Sequence, residues 1–176
     1  MEGEDSLTMP EMSEGNLDYR YYLGQALEEA LQAQAEGQNP IGSVITDAQG
    51  RIIARGHNRV SALSDLTAHA EMRAIHDAFA TGRGEEVRGW TLYTTMEPCP
   101  MCLGTIVMSH IGTVVWVAPD RHIQTHRLLD AIPYLRSKRL RTVACPDLEL
   151  EQRCSELHDA YWIAQGKPEV VQPLTE

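Results

Sequence analysis

Two short stretches of this 176-residue chain hold side chains that can work together on a metal: Thr67-Ala68-His69-Ala70-Glu71 and Glu97-Pro98-Cys99-Pro100-Met101-Cys102. Cys99 and Cys102 stand three apart, which on a helix puts them on one face. Their sulfurs can hold one ion at roughly 2.3 Å each, and His69 can add a nitrogen. Three protein ligands leave one tetrahedral position open, the mark of a catalytic rather than a structural zinc. One zinc per chain is therefore expected, with water or hydroxide in the fourth position. Glu71 follows His69 by two residues. A carboxylate beside that water can take its proton, give it to a ring nitrogen and later to a leaving amine. The chemistry so expected is hydrolytic loss of an amino group from a ring carbon, with a carbonyl left behind.

Each part has a plainer reading alone. Cys-x-x-Cys serves redox, metal or packing roles. A single His belongs to a core or a surface, and a single Glu to a solvated helix face. In this order, with Pro98 before the first Cys, His-x-Glu and Pro-Cys-x-x-Cys form the pattern of zinc deaminases acting on nucleobases.

The elements that must position these residues follow from periodicity. Residues 18–36 read as a helix, with Leu23, Ala26, Leu27, Ala30 and Leu31 at helical spacing. Residues 41–46 and 51–56 read as strands joined by the turn Asp47-Ala48-Gln49-Gly50. After a loop at 61–66, a helix begins near Thr67 and closes at Thr81-Gly82-Arg83-Gly84. Residues 90–94 form a short strand, 99–109 a helix and 112–117 another strand. A weak helix at 126–135 is interrupted by Pro133, and 141–144 and 148–165 make a last strand and helix. Both chemical stretches thus open helices, whose free N–H groups and partial positive charge favour thiolate. The alternation after an opening hairpin predicts an α/β domain with helices on both faces of one sheet.

Composition sets the boundaries. Residues 1–16 carry five acidic side chains and no basic ones, and are read as a disordered tail. The domain then covers 17–166, and 167–176 is read as a frayed tail. No apolar run reaches the roughly 18 residues of a membrane span, so no membrane partner is expected. Four cysteines, unevenly placed, do not make a disulfide scaffold, and a cytoplasmic setting is the default. The net charge of −10 (25 acidic against 15 basic residues) argues against a long polynucleotide and for a small substrate.

At the quoted residues the chain resembles the cytidine and deoxycytidylate deaminase superfamily, in the branch of guanine deaminases, fungal-type cytosine deaminases and tRNA adenosine deaminases. Asn39-Pro40-Ile41-Gly42-Ser43-Val44-Ile45 is similar to that branch's "PxGAV" strand, Gly56-His57-Asn58 to its "GxN" segment, and 92–97 to the strand entering the cysteines. The resemblance spans about 18–120 and loosens after Arg121. It implies a three-layer α/β/α fold with a five-stranded mixed sheet, and a homodimer. It implies His69, Cys99 and Cys102 as zinc ligands and Glu71 as proton shuttle. Asn58 is implied as a base-binding side chain; as a residue it is equally a strand-ending turn former. Ala70 is placed with it among the substrate-binding positions.

Substrate is read from the flanks. Glu97 to Gly104 is similar to guanine deaminases, and the stretch 65–71 to both guanine and tRNA adenosine deaminases, with Leu66 in place of a proline. The basic loop of the tRNA enzymes is replaced by Pro119-Asp120-Arg121-His122-Ile123. A free nucleobase or nucleoside is therefore expected, guanine first and cytosine second, in purine salvage, with nucleic acid disfavoured. Two rivals stay open: a tRNA adenosine deaminase making inosine, for which basic candidates such as Arg136, Lys138, Arg139 and Arg141 are scattered, and a non-catalytic zinc module. His122 and His126 form either a second metal pair or a polar helix face. Trp90, Trp116 and Trp162 are read as core or dimer surface, with Trp116 as the one candidate for the pocket.

Overall fold

The computed structural model describes residues 19–173. The acidic tail read at 1–16 lies outside them, as do the last three residues of the C-terminal tail.

Helix α1 (Tyr19–Ala35) opens the fold and buries Leu23, Ala26, Leu27 and Ala30, the stripe expected from the sequence. Strands β1 (Gly42–Thr46) and β2 (Ile52–His57) form the opening antiparallel hairpin. Its turn is organised by buried Asp47, whose Oδ1 accepts from the Gln49 and Arg51 amides at 3.0 Å each. Next come the short α2 (Val60–Leu63), α3 (Ala70–Ala80) and a 3-10 helix at Gly84–Gly89. Strand β3 (Thr91–Met96), α4 (Pro100–Met108) and β4 (Thr113–Ala118) follow. The chain then runs through α5 (His126–Ala131), α6 (Pro133–Ser137), β5 (Arg141–Ala144) and α7 (Leu148–Ala164).

The five strands form one mixed sheet in the order β2-β1-β3-β4-β5. β1 is antiparallel to β2 and β3, whereas β3, β4 and β5 are parallel. Period-two alternation sends side chains to two separate cores. Val44, Tyr93, Val115 and Val117 pack under α1 and α7. Ile45, Leu92, Val114 and Trp116 pack under α3 and α4. At roughly 1.5–3 kcal/mol per large buried side chain, these two layers dominate the favourable side of folding. The three-layer α/β/α architecture expected from the sequence is the one observed.

The differences are local. Helix α3 starts at Ala70 rather than Thr67, because Asp65 Oδ1 takes both the amide (2.8 Å) and the hydroxyl (2.7 Å) of Thr67 in a turn. The weak helix at 126–135 is two helices, broken where Ile132 is extended ahead of Pro133. Part of the tail read as frayed is a 3-10 turn at Pro168–Val171. Trp116 is a core residue, and the cysteines outside the motif, Cys145 and Cys154, are buried and free. Burial pushes the Cys154 thiol up to about 12, which leaves it inert. Among the described residues, no helix is long and apolar enough to cross a membrane.

Candidate active site

Two helix starts are brought side by side at one end of the sheet. His69 is the N-cap of α3 and Cys99 the N-cap of α4, both with extended backbone, and Pro100 follows at the first helical position. Neither side chain caps its own helix, so each is left to turn toward the other. The position of α3 is fixed by Gly56 on β2. A Cβ there would stand 2.5 Å from the Ala70 carbonyl oxygen and 2.6 Å from the Ala74 nitrogen, so only glycine lets the helix start lie this close. Gly42 does the same for α1, with the Ala26 oxygen 2.1 Å from its virtual Cβ.

His69 Nδ1 lies 3.6 Å from the sulfur of Cys99 and 3.6 Å from that of Cys102. Zinc ligands at about 2.3 Å (sulfur) and 2.0 Å (nitrogen) with tetrahedral angles stand about 3.5 Å apart, so the trio fits zinc. Among the described residues, these three are the group whose ligand atoms converge, all within 4.8 Å of one another. Their charges ask for a cation as well. The hydrogen bond from Cys102, and then His69, draws the Cys99 thiol well below its ordinary range. The shared bond with ionised Cys99, then burial and the nearby Glu71, push the Cys102 thiol up. A divalent ion is what allows both sulfurs to ionise together. Zinc is the cofactor of this centre.

Glu71 is buried, in the first turn of α3, with Oε2 3.5 Å from the sulfur of Cys102. Burial raises its carboxyl to about 7. Ala70 opens α3 and is fully buried. Asn58 is buried too, and its Oδ1 accepts from the Val60 amide at 3.2 Å, the turn role that its residue type allows.

Beside the trio lies a cavity of about 130 Å³, lined in part by His69, Glu71 and Cys99. Asn58 and Ala70 are not among its lining residues. Several walls were not anticipated. Asn39 and Ile41 come from the segment before β1, Asp120 and Ile123 from the loop after β4, and His158 and Trp162 from α7. Trp162 is held by its Nε1, which donates to His158 Nε2 at 3.0 Å. Burial lowers the His158 pKa, in keeping with a ring that accepts there. The i, i+4 spacing of these two on a helix was a usable signal; nothing local linked them to the cysteines.

Glu97 was read only as part of the cysteine motif. Its side chain is 2% exposed and is a loop anchor. One oxygen accepts from the Asp120 amide at 3.1 Å, the other from the His126 amide at 2.6 Å and from His126 Nδ1 at 2.8 Å. His126 is thereby committed to Glu97, and His122 Nδ1 faces the Gln172 carbonyl oxygen at 3.0 Å, so the two histidines do not form a metal pair.

Residues 17–118 match the family described as the cytidine and deoxycytidylate deaminase zinc-binding region. A tRNA-specific adenosine deaminase of Aquifex aeolicus is 43% identical over 101 residues, covering 57% of this chain and 66% of that protein. A solved structure from work on A-to-I editing by tRNA:A34 deaminases superposes with a TM-score of 0.62 and 32% identity, over 72% of this chain and 99% of that one. A guanine deaminase of Bacillus subtilis gives 0.55 and 36%, over 59% and 66%. The chain spans less than two thirds of the curated relatives it matches first.

These findings correct the substrate read from the sequence. Three curated relatives at 42–43% identity are named as deaminases of adenine or adenosine in tRNA, so guanine, cytosine and a salvage role do not stand. The expectation that nucleic acid is an unlikely partner falls with them. The error lay in treating a net charge as a surface: a sum of −10 says nothing about where the cations cluster. Asp120 is engaged in its own loop, where Oδ1 accepts from the His122 and Ile123 amides at 2.9 and 2.8 Å.

Proposed function

The chain belongs to the cytidine and deoxycytidylate deaminase family, and from that premise we propose that it hydrolyses the 6-amino group of an adenosine in tRNA to give inosine. The observation that carries the substrate is the 43% identity to a tRNA-specific adenosine deaminase over 101 residues. The reaction rests on the site itself: three converging ligands, two of which (His69 and Cys99) line a small cavity together with the buried carboxylate of Glu71.

His69, Cys99 and Cys102 would hold the zinc. Bound there, the ion supplies the Lewis acidity that makes water a nucleophile near neutral pH. Glu71 is placed to take one proton from the attacking water and give it to N1 of the purine, then to take the proton of the new C6 hydroxyl and give it to the departing amine. A carbon–oxygen bond forms at C6, the bond from C6 to the exocyclic nitrogen breaks, and ammonia leaves. Ile41 and Trp162 close the cavity with apolar surface against which a base can lie flat. Asn58, held in its turn by its oxygen, does not line the cavity as it stands, and a contact of its amide nitrogen with the base would need the base to reach beyond those walls. Ala70 contributes a helix-start N–H, which has no partner within the helix.

The test is nucleoside analysis by mass spectrometry of unmodified tRNA incubated with the zinc-loaded protein. Inosine is expected with the wild type and not with Glu71→Ala, at equal zinc content. Equal inosine from both proteins would remove Glu71 from the mechanism. No inosine from the wild type would remove tRNA as substrate.

A further inference from the structure

The four basic residues 136, 138, 139 and 141 gain a fifth partner in the fold, and a cavity to line. Lys138 and Arg139 share a cavity of about 370 Å³ with Arg88, His110, Gly112 and Ser137, at the end of the sheet where β3, β4 and β5 begin. Arg136 and Arg141 flank it in sequence. Arg88 comes from the end of the 3-10 helix and was not linked to the others by spacing.

What sets these cations apart is their grouping, since Arg73, Arg127, Arg153 and Lys167 also lack an ion pair among the described residues but do not line this cavity. Arg20, Arg51, Arg55, Arg59, Arg83 and Arg121 each face a carboxylate. Among the described residues, Arg88, Arg136, Lys138, Arg139 and Arg141 are in no ion pair; Lys138 lies over the Tyr134 ring and Arg141 reaches the Tyr19 hydroxyl. Helix ends account for only part of this charge. The 3-10 helix, α4 and α6 all finish here, and carbonyl ends favour cations, at about half a charge per end even for full-length helices. Five formal cations exceed that.

The backbone adds an independent sign. His110 and Arg139 each follow a helix C-cap in the left-handed conformation, at φ 64° and 55°, where glycine is the usual residue. Both side chains line this one cavity. Strained positions held by side-chain-bearing residues concentrate where the side chain is needed.

We propose that this basic cavity binds the phosphodiester backbone of the tRNA substrate, away from the anticodon base. This rests on the reading of the enzyme as a tRNA deaminase. The zinc lies at the other end of β3, a strand of six residues, so the two sites are roughly 20 Å apart along the sheet. At about 3.4 Å per phosphate of one strand, the cavity takes phosphates on the order of six nucleotides from the reacting base. A chain of net charge −10 repels RNA at long range, and this patch supplies the local attraction that docking requires.

The test compares the wild type with Lys138→Glu/Arg139→Glu and, on a different element, Arg88→Gln, all zinc-loaded and matched for melting temperature. Full-length tRNA and a minimal anticodon stem-loop are the substrates. The double variant is expected to raise KM about tenfold or more with kcat unchanged, for full-length tRNA and for the stem-loop alike, because both carry the phosphates about six nucleotides from the reacting base. The slope of log affinity against log salt should shrink by about 0.7–0.9 for each phosphate that the variant no longer neutralises. If the double variant does not fold, Arg88→Gln carries the same expectation for a single phosphate. An unchanged KM and salt slope in the folded variants overturn the proposal. If the wild type makes no inosine, the enzymatic reading fails alone: salt-sensitive tRNA binding that the variants weaken still supports the patch, and its persistence in the variants overturns it.

Discussion

Glu71 and Asp47 are both buried carboxylates, and their surroundings move them in opposite directions. Burial lifts Glu71 to about 7. At Asp47 burial also pushes upward, but hydrogen bonds from the Arg51 amide and guanidinium, from Arg83 and from the Gln49 amide outweigh it and hold the carboxyl below its usual range. Different roles follow. Glu71→Gln should lower turnover by on the order of 10² to 10⁴ and leave zinc content intact, measured as initial rate against metal content. Asp47 should matter for stability. Its folded pKa is depressed, so its contribution is complete above its unfolded pKa and is lost as pH falls through the folded one. Asp47→Asn should therefore cost roughly 1–3 kcal/mol at pH 7 and flatten the loss of stability under acid, read from urea unfolding as a function of pH. The metal trio and Glu71 were legible in the sequence because their spacing is local. His158 and Trp162 were not, because only the packing of α7 against the sheet brings them to the cavity.

Elements carry the site through close approach and through one anchor. The start of α3 lies against Gly56, so Gly56→Ala must displace the helix that bears His69 and Glu71. The expected cost is about 1–3 kcal/mol, together with weaker zinc retention against a chelator. Glu97 links the end of β3 to the loop after β4 by three accepted hydrogen bonds. Glu97→Ala should speed hydrogen exchange at the Asp120 and His126 amides, while zinc stays bound. The strands and long helices were readable because alternation and helical spacing report burial directly. Residues 121–140 were not. Two short helices split by Pro133 carry no buried stripe of their own, and their course depends on Glu97 from another part of the chain.

For the whole molecule, the instructive error is the one about charge. The acidic sum counts carboxylates wherever they lie and weighs against RNA without locating a single cation. The fold gathers Arg88, Lys138 and Arg139 around a single cavity, a placement no composition can report. The architecture and the reaction type were within reach of the sequence; the substrate was not, because it depends on surfaces assembled from distant segments. The most direct measurement of the central claim is ammonia release by one zinc-loaded preparation from a tRNA anticodon stem-loop, free adenosine, guanine and cytosine, side by side. The account predicts release from the stem-loop, lost in Glu71→Ala, with the free compounds inert. Release from guanine or cytosine, with the stem-loop inert, would contradict it.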